Sequence, residues 1–168
     1  MAVLPVVKFP EKALKTKAKE IREVTEADHR LVRDMIDTMY AENGVGLAAN
    51  QVGVLKQVFV AIPEKKGQKE LVFLNPRIVK KKGVIKEFEG CLSVPEFFEP
   101  VKRAKKVWMR AMTLDGDTVE AKGEGLHARI YQHEIDHLNG ILFIDRLGIL
   151  KSALARKKLA KRPISQTG

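Results

Sequence analysis

The chain has 168 residues, of which 45% are hydrophobic, and its formal net charge is +10. This length suits one domain, residues 1–168, with a core large enough to fold without disulfides. The single cysteine excludes an internal disulfide and is typical of a reducing cytoplasm. No stretch approaches the roughly 20 apolar residues of a membrane helix, and the N-terminus lacks the features of a signal peptide. The positive charge indicates either a polyanionic partner or a lysine-coated surface.

The order of predicted elements indicates an α+β fold. Residues 1–24 are predicted to be irregular, and Thr25 is predicted as the N-cap of a helix with Asp28 in the capping-box position. That helix should end at Asn43-Gly44. Patterns typical of strands cover 57–62, 70–75, 78–88 with a turn at 82–83, 105–114 and 117–122. Two more helices are predicted at 125–139 and about 147–161, the second stopped by Pro163.

An HExxH motif lies in the helix predicted at 125–139. His133 and His137 are one turn apart on the same helix face, where two imidazoles can bind one divalent metal ion. Glu134 points to the side and can reach a water at the metal without being a ligand. The motif therefore supplies two ligands and a base, and the third ligand must come from elsewhere.

Cys91 is the best candidate for the third ligand, because a thiolate suits zinc or ferrous iron. A lone cysteine is also often a small buried apolar residue, and the HExxH motif favours the ligand interpretation. His127 is the rival, but six residues turn a helix by about 600°, so its side chain should face away from His133. Asp136 lies off the ligand stripe and fits a salt bridge or a supporting role.

The segment 44–53 is rich in glycine and alanine. It lacks the ending of a phosphate-binding loop, so nucleotide binding is not expected. Its small residues let a ligand approach the backbone, and the Gln51 amide can donate to an oxyanion. The alternative is a tight turn between a helix and a strand, with Gln51 on the surface.

Three segments together resemble the peptide deformylase family. The family's GxGxAAxQ loop, EGCLS segment and QHExDHLxG helix match 44–51, 89–93 and 132–140 in that order. The resemblance covers most of residues 1–150. It implies antiparallel β-sheets packed around a central HExxH helix, with an N-terminal helix and a basic C-terminal helix at about 147–162.

The resemblance also implies a reaction, which is hydrolysis of the N-formyl group from the formylmethionine of nascent polypeptides. Cys91, His133 and His137 would hold one metal ion, typically Fe²⁺, which Zn²⁺, Ni²⁺ or Co²⁺ can replace. Glu134 would move the proton. The Gln51 side chain and the Leu92 backbone N–H would stabilise the oxyanion.

The family pattern predicts a substrate groove as well. Backbone near Gly46 would pair with the substrate like an added strand. Val45, Leu92 and Ile130 would form the methionine pocket, with Arg129 at its mouth, where many relatives have an apolar residue.

Two further expectations concern residues around this groove. Phe97-Phe98 stands where many bacterial relatives have an arginine that contacts the substrate backbone, so that contact is lost or replaced by apolar packing. Glu89 is expected to orient a ligand or to pair with Arg103.

The C-terminal helix is basic and carries an apolar stripe. In similar bacterial enzymes this helix binds near the ribosomal exit tunnel; the alternative is a solvated, frayed helix. Neither a membrane nor a specific DNA site is expected as a partner. The stripe comprises Leu147, Leu150 and Leu154, and the cations are Lys151, Arg156, Lys157, Lys158, Lys161 and Arg162.

Two other functions fit parts of the pattern. An HExxH metallopeptidase would cleave unformylated peptides with the same chemistry. A basic ribosome- or RNA-binding module would need a closed, four-ligand structural metal site, and the sequence offers no convincing fourth ligand.

Overall fold

The computed structural model describes residues 2–161, which form seven strands and three α-helices. Every pairing among these strands is antiparallel, and this confirms the predicted α+β class. The strands are β1 (Gly46–Ala48), β2 (Val58–Ala61), β3 (Leu71–Lys82), β4 (Ile85–Cys91), β5 (Val94–Arg103), β6 (Lys106–Met112) and β7 (Thr118–Glu124). The helices are α1 (Glu26–Ala41), α2 (Leu126–Leu138) and α3 (Ile149–Ala160), and short 3-10 turns occur at Lys12–Lys15, Ala49–Val52 and Phe143–Arg146.

The strands divide into two sheets, and α2 contacts both. One sheet has the order β1-β2-β3-β6-β7, and the other consists of β4 and β5. The larger sheet packs its inner face on α2 through an aromatic group whose ring centroids are 5.4 to 6.1 Å apart. That group is Phe59, Phe73 and Tyr131. Because α2 is held centrally, Glu134 and His137 of the HExxH motif are buried between the sheets and His133 is partly buried.

The smaller sheet has its own core against the C-terminal part of the chain. Val94 and Val101 of β5 pack there with Phe143, Ala155 and Leu159. Helix α3 is two residues shorter at its start than predicted, and Arg162 and Pro163 lie outside the described residues. None of the helices described is long and apolar enough to cross a membrane.

Two strand predictions differ from the structure at prolines. Strand β3 runs unbroken through Asn75-Pro76, where the pattern had suggested an end. Register shifts beside these residues absorb the irregularity, and Asn75 adopts a φ of 49°. Strand β5 was not predicted, because Pro95 and Pro100 weaken its pattern. A two-stranded sheet has only edge strands, and edges tolerate proline.

Thr25 is the N-cap of α1 as predicted, and the residue in the capping-box position is Asp28. Its buried carboxylate accepts hydrogen bonds from the Thr25 N–H at 2.9 Å and the Thr25 hydroxyl at 2.8 Å, and Lys56 Nζ lies 2.5 Å away. Burial raises the pKa of Asp28, but the bonds from Lys56 and Thr25 outweigh it and lower the pKa below its ordinary value. The charged form is therefore the one that stabilises the fold.

Asp28→Asn should lower the free energy of unfolding by about 1 kcal/mol at pH 7, since Lys56 is partly exposed. The folded pKa lies below the unfolded one. The contribution is therefore complete above the unfolded pKa of about 3.9 and is lost as the pH falls through the folded pKa. Urea unfolding at pH 7 and pH 3 measures this difference. Glu26→Gln, an exposed change in the same turn, should have little effect, and an equal loss in both variants would contradict the role of Asp28.

Candidate metal centre and substrate cleft

Three side chains converge on one point between α2 and the end of β4. Their ligand atoms, Cys91 Sγ and the Nε2 atoms of His133 and His137, all lie within 4.8 Å of one another. The Sγ–Nε2 distance from Cys91 to His137 is 3.2 Å, and the two Nε2 atoms are 3.1 Å apart. Donors that share a tetrahedral ion at about 2.0–2.3 Å lie about 3.3–3.6 Å apart, so these two distances are close to those that a metal ion requires.

Glu89 fixes the orientation of one imidazole. The Nδ1 atom of His133 donates to Glu89 Oε2 at 3.0 Å, which turns Nε2 of the same ring towards Cys91 and His137. A carboxylate behind a ligand histidine sets its tautomer in this way. Burial lowers the pKa of His133, but the hydrogen bonds to Cys91 and Glu89 outweigh it and raise the pKa well above its ordinary value. For His137, burial and the charge of His133 lower the pKa.

Glu89 is itself held by a buried ion-pair network. Arg103 donates to both of its carboxylate oxygens at 2.8 and 3.0 Å, and to Asp136 at 2.6 Å. Arg146 binds the same Asp136 carboxylate at 2.7 Å. Burial raises the pKa of Glu89, but the hydrogen bonds from Arg103 and His133 lower it to about 2. Glu89 therefore both orients His133 and pairs with Arg103, the two roles expected for it. Asp136 forms salt bridges, as its position off the ligand stripe had indicated.

Glu134 lies deep in the site, and Gly46 makes room for it. An added Cβ at Gly46 would lie 2.7 Å from Glu134 Oε1 and 3.0 Å from Ile130 Cγ2. The carboxylate is buried, and its Oε2 has no hydrogen-bond partner among residues 2–161. Burial raises the pKa of Glu134 to about 7. A carboxylate with such a pKa can both accept and return a proton near neutral pH.

The glycine-rich loop brings an amide to the same point. Gln51 is buried, and its Oε1 accepts the Ala48 N–H at 3.0 Å. Its Nε2 is therefore directed towards Ser93 Oγ at 3.2 Å and Cys91 Sγ at 3.6 Å. The neighbouring Asn50 side chain donates to the backbone carbonyl of His137. Gln51 therefore lies beside the candidate ligand Cys91, and the alternative of a surface glutamine is wrong.

A cleft of about 480 Å³ opens onto these groups. All of the predicted site residues except the more deeply buried His137 line it, including Val45, Leu92, Arg129 and Ile130. Leu92 begins the two-residue turn between β4 and β5, and Lys8 Nζ donates to its carbonyl at 2.8 Å. The cleft therefore joins an apolar wall to two of the three candidate ligands, Cys91 and His133.

The rim of the cleft carries a charged residue, Arg129, and an exposed aromatic residue, Phe98. Arg129 lies 4.0 Å from Glu87, and its Nε is buried without a hydrogen-bond partner in the part of the chain described. Phe98 is 65% exposed and covers Gly90, where an added Cβ would lie 2.4 Å from its ring. Phe97 points the other way and packs on Phe143. Only one of the two phenylalanines therefore borders the groove.

His127 is not part of the cluster. Its Nε2 lies 3.1 Å from the carbonyl oxygen of Ile62, and its ring packs against Tyr131. Its position agrees with the helix rotation that made it the weaker candidate.

Comparison of the sequence and the fold with known proteins identifies the family of this chain. The family model for polypeptide deformylase matches residues 3–153. The chain is 45% identical to a peptide deformylase of Thermodesulfovibrio yellowstonii over 94% of this chain and 97% of that one. The chain belongs to the polypeptide deformylase family. A crystal structure of the deformylase from Legionella pneumophila superposes with a TM-score of 0.88 at 41% identity, covering 96% of this chain and 100% of that one.

A second deformylase structure, from Ehrlichia chaffeensis in complex with actinonin, has a TM-score of 0.87 at 38% identity and covers 97% of this chain and 100% of that one. Deformylases are metal-dependent hydrolases that remove the N-formyl group of nascent polypeptides, and this activity is that of the present chain. The predicted deformylase function is thus confirmed. The two alternatives, a metallopeptidase and a module whose main role is to bind RNA, are not supported.

Some residues of this deformylase site were not singled out from sequence. Asn50 and Ser93 each stand beside a predicted site residue, and they lie inside the motifs that carry the family resemblance. Arg146 carries no such signal. It joins the network only because the chain turns back after α2, and this contact is not encoded in local spacing.

Proposed function

We propose that Cys91, His133 and His137 hold one ferrous ion in this deformylase, with Zn²⁺, Ni²⁺ or Co²⁺ able to replace it. The observation that carries the proposal is the convergence of one thiolate and two imidazoles within 4.8 Å. A thiolate beside two imidazoles suits Fe²⁺ and the later divalent ions. When bound, the ion supplies Lewis acidity and lowers the pKa of a coordinated water. The reaction takes place in one catalytic domain, residues 1–168.

Glu134 is the proton carrier of the proposed reaction. Its unpartnered Oε2 is available to the attacking water, and its Oε1 lies beside Gly46 on the substrate side. It takes a proton from the water as the C–O bond forms and returns one to the amine as the C–N bond breaks. The products are formate and a free N-terminal methionine.

Gln51 and the Leu92 N–H stabilise the oxyanion that develops on the formyl oxygen. The Gln51 amide is already oriented by Ala48, so little reorganisation is needed when charge appears. In a two-residue turn, the N–H of the first turn residue lies outside the strand ladder, which makes the Leu92 N–H available as the second donor.

Gln51→Leu should lower kcat by about 10²–10³-fold, because one oxyanion donor is lost at nearly constant volume. The measurement is kcat and KM on formyl-Met-Ala, with metal content determined on the same sample. Gln68→Leu makes the same change at an exposed position outside the cleft and should leave kcat close to wild type. Similar kcat values for the two variants would contradict the role of Gln51.

The substrate lies along β1. This strand is at the edge of the larger sheet, so its free side can pair with an extended peptide. Gly46 then contacts the peptide backbone, and Val45, Leu92 and Ile130 enclose the methionine side chain. Arg129 stands at the pocket mouth, paired loosely with Glu87.

The metal proposal is tested by formate release from formyl-Met peptides together with metal analysis of protein purified anaerobically. One ion per chain and highest activity with iron are expected. Cys91→Ser should reduce metal affinity, because a thiolate ligand is replaced by a hydroxyl. Unchanged metal content and affinity would remove Cys91 from the ligand set, whereas equal cleavage of unformylated peptides would favour a metallopeptidase.

We further propose that α3 binds the ribosome near the exit tunnel, which places the enzyme in the cytoplasm. Support comes from Ile149, Leu150 and Leu154, which are 90%, 80% and 67% exposed on a helix that also carries Lys157 and Lys158. Leu147 packs on the core and is not part of this exposed stripe. Co-sedimentation with ribosomes should fall in a Leu150→Ser/Leu154→Ser variant that keeps wild-type activity on a dipeptide. Undiminished sedimentation would contradict the proposal.

A further inference from the structure

The outer face of the larger sheet carries like charges side by side. Strand β6 is an inner strand of this sheet, and its odd-numbered residues Val107 and Met109 are buried towards α2. Its even-numbered residues therefore face outward, and the register places a cation opposite two of them. Arg77 pairs with Arg110, and Lys82 pairs with Lys106. Like charges directly opposite each other destabilise a sheet, so the protein gains no stability from this arrangement.

Carboxylates neutralise only part of this charge. Glu120 lies 3.1 Å from Arg110, and Glu124 lies 3.1 Å from Lys106. The remaining cations have no carboxylate within 4.0 Å among residues 2–161, and all of them are exposed. These four, Arg77, Lys80, Lys82 and Lys122, together with Trp108, are called the outer basic face.

Trp108 stands in the middle of the outer basic face. The register places Lys80 of β3 on one side of it and Lys122 of β7 on the other. Their Nζ atoms lie 4.8 and 5.6 Å from its ring centroid, and the indole is only partly buried. A tryptophan on a sheet surface, between unneutralised lysines, offers a stacking platform for a base and charges for the flanking phosphates.

We propose that the outer basic face binds single-stranded RNA. The phosphates of RNA supply the negative charge that the face lacks, and Trp108 supplies a surface on which a base can stack. The residues paired with Trp108 on the two neighbouring strands are both lysines, which favours a nucleic acid over the apolar contact that a membrane would use. The face lies on the side of the sheet opposite α2, so RNA there leaves the catalytic cleft open. The inference is independent of α3 and of the catalytic roles proposed above.

Trp108 is the only tryptophan of the chain, so its emission reports on this face directly. Titration with a 12-nucleotide uridine RNA should quench or shift the emission in a saturable way. For contacts with three or four phosphates, the slope of log K against log salt should be about −2 to −3. Lys80→Glu/Lys122→Glu should weaken binding at least about 10-fold and flatten the slope by about 1–2, since each lysine serves one phosphate.

The matched control is Lys65→Glu/Lys66→Glu, which changes the net charge equally in the exposed turn before β3. It should bind RNA nearly as wild type, and both variants should keep wild-type kcat/KM on formyl-Met-Ala. Lys157→Glu/Lys158→Glu on α3 should leave the Trp108 response intact. The proposal would be overturned if Lys65→Glu/Lys66→Glu weakened RNA binding as much as Lys80→Glu/Lys122→Glu does. RNA binding without a change in Trp108 emission would also overturn it. Binding to vesicles of anionic phospholipid but not to RNA would overturn it in favour of a membrane surface.

Discussion

Glu134→Gln protein should retain one metal ion per chain and lose about 10²–10⁴-fold in kcat. The change is isosteric and removes the group that we propose moves the proton, while Cys91, His133 and His137 are left in place. Glu89, the other buried carboxylate that lines the cleft, is held in its ion pair with Arg103 and is not free to substitute for Glu134. The measurement is formate release under saturating formyl-Met-Ala, with the metal quantified in the same preparation.

Glu23→Gln provides the control for Glu134→Gln, since it makes the same chemical change at an exposed position outside the cleft. It should retain full activity and metal content. A Glu134→Gln enzyme that is fully loaded with metal and turns over at the wild-type rate would remove Glu134 from the mechanism.

Arg103→Met should lower the free energy of unfolding by about 3–5 kcal/mol, because it leaves the buried Glu89 carboxylate without its cation and Asp136 with only the half-exposed Arg146. The side chains of Glu89, Arg103 and Asp136 are almost completely buried. Since Glu89 orients His133, the folded fraction should also bind metal about 10–100-fold more weakly. Denaturant unfolding and metal titration measure the two effects.

Two variants separate these effects from a general failure to fold. Arg103→Lys keeps a charge but loses the forked geometry, so its stability should lie between those of wild type and Arg103→Met. Arg146→Met removes the half-exposed partner of Asp136, and its effect should be much smaller. An Arg103→Met variant as stable as wild type would show that the ion-pair network adds nothing to stability.

The sequence was sufficient for features that depend on local periodicity. The spacing of His133 and His137 fixes their common helix face, and the same geometry turns His127 away. Thr25 and Asp28 mark the start of α1 because capping is a contact between near neighbours. Cys91, the only cysteine, was favoured as the third ligand because a thiolate suits zinc or ferrous iron, and Gln51 was one of two alternatives for its segment. The family motifs agreed with Cys91 and favoured Gln51 as the oxyanion donor.

Contacts between distant segments could not be read in the same way. The hydrogen bonds from Arg103 to Glu89 and Asp136 depend on how β4, β5 and α2 pack against one another. Phe97 and Phe98 are adjacent in sequence, yet strand geometry sends them to opposite sides, and the strand itself was hidden by its prolines. The like-charged pairs on β3 and β6 were likewise invisible until the register was known.

The bond from Asn50 to the His137 carbonyl spans 87 positions of the chain, and the contact from Cys91 to His137 spans 46. Contacts of such sequence separation form late in folding, because the entropy of closing long loops must be overcome first. During synthesis, the proposed metal site cannot form until His137 has been added and α2 has docked. The enzyme that processes nascent chains therefore becomes active only when most of its own chain has been made.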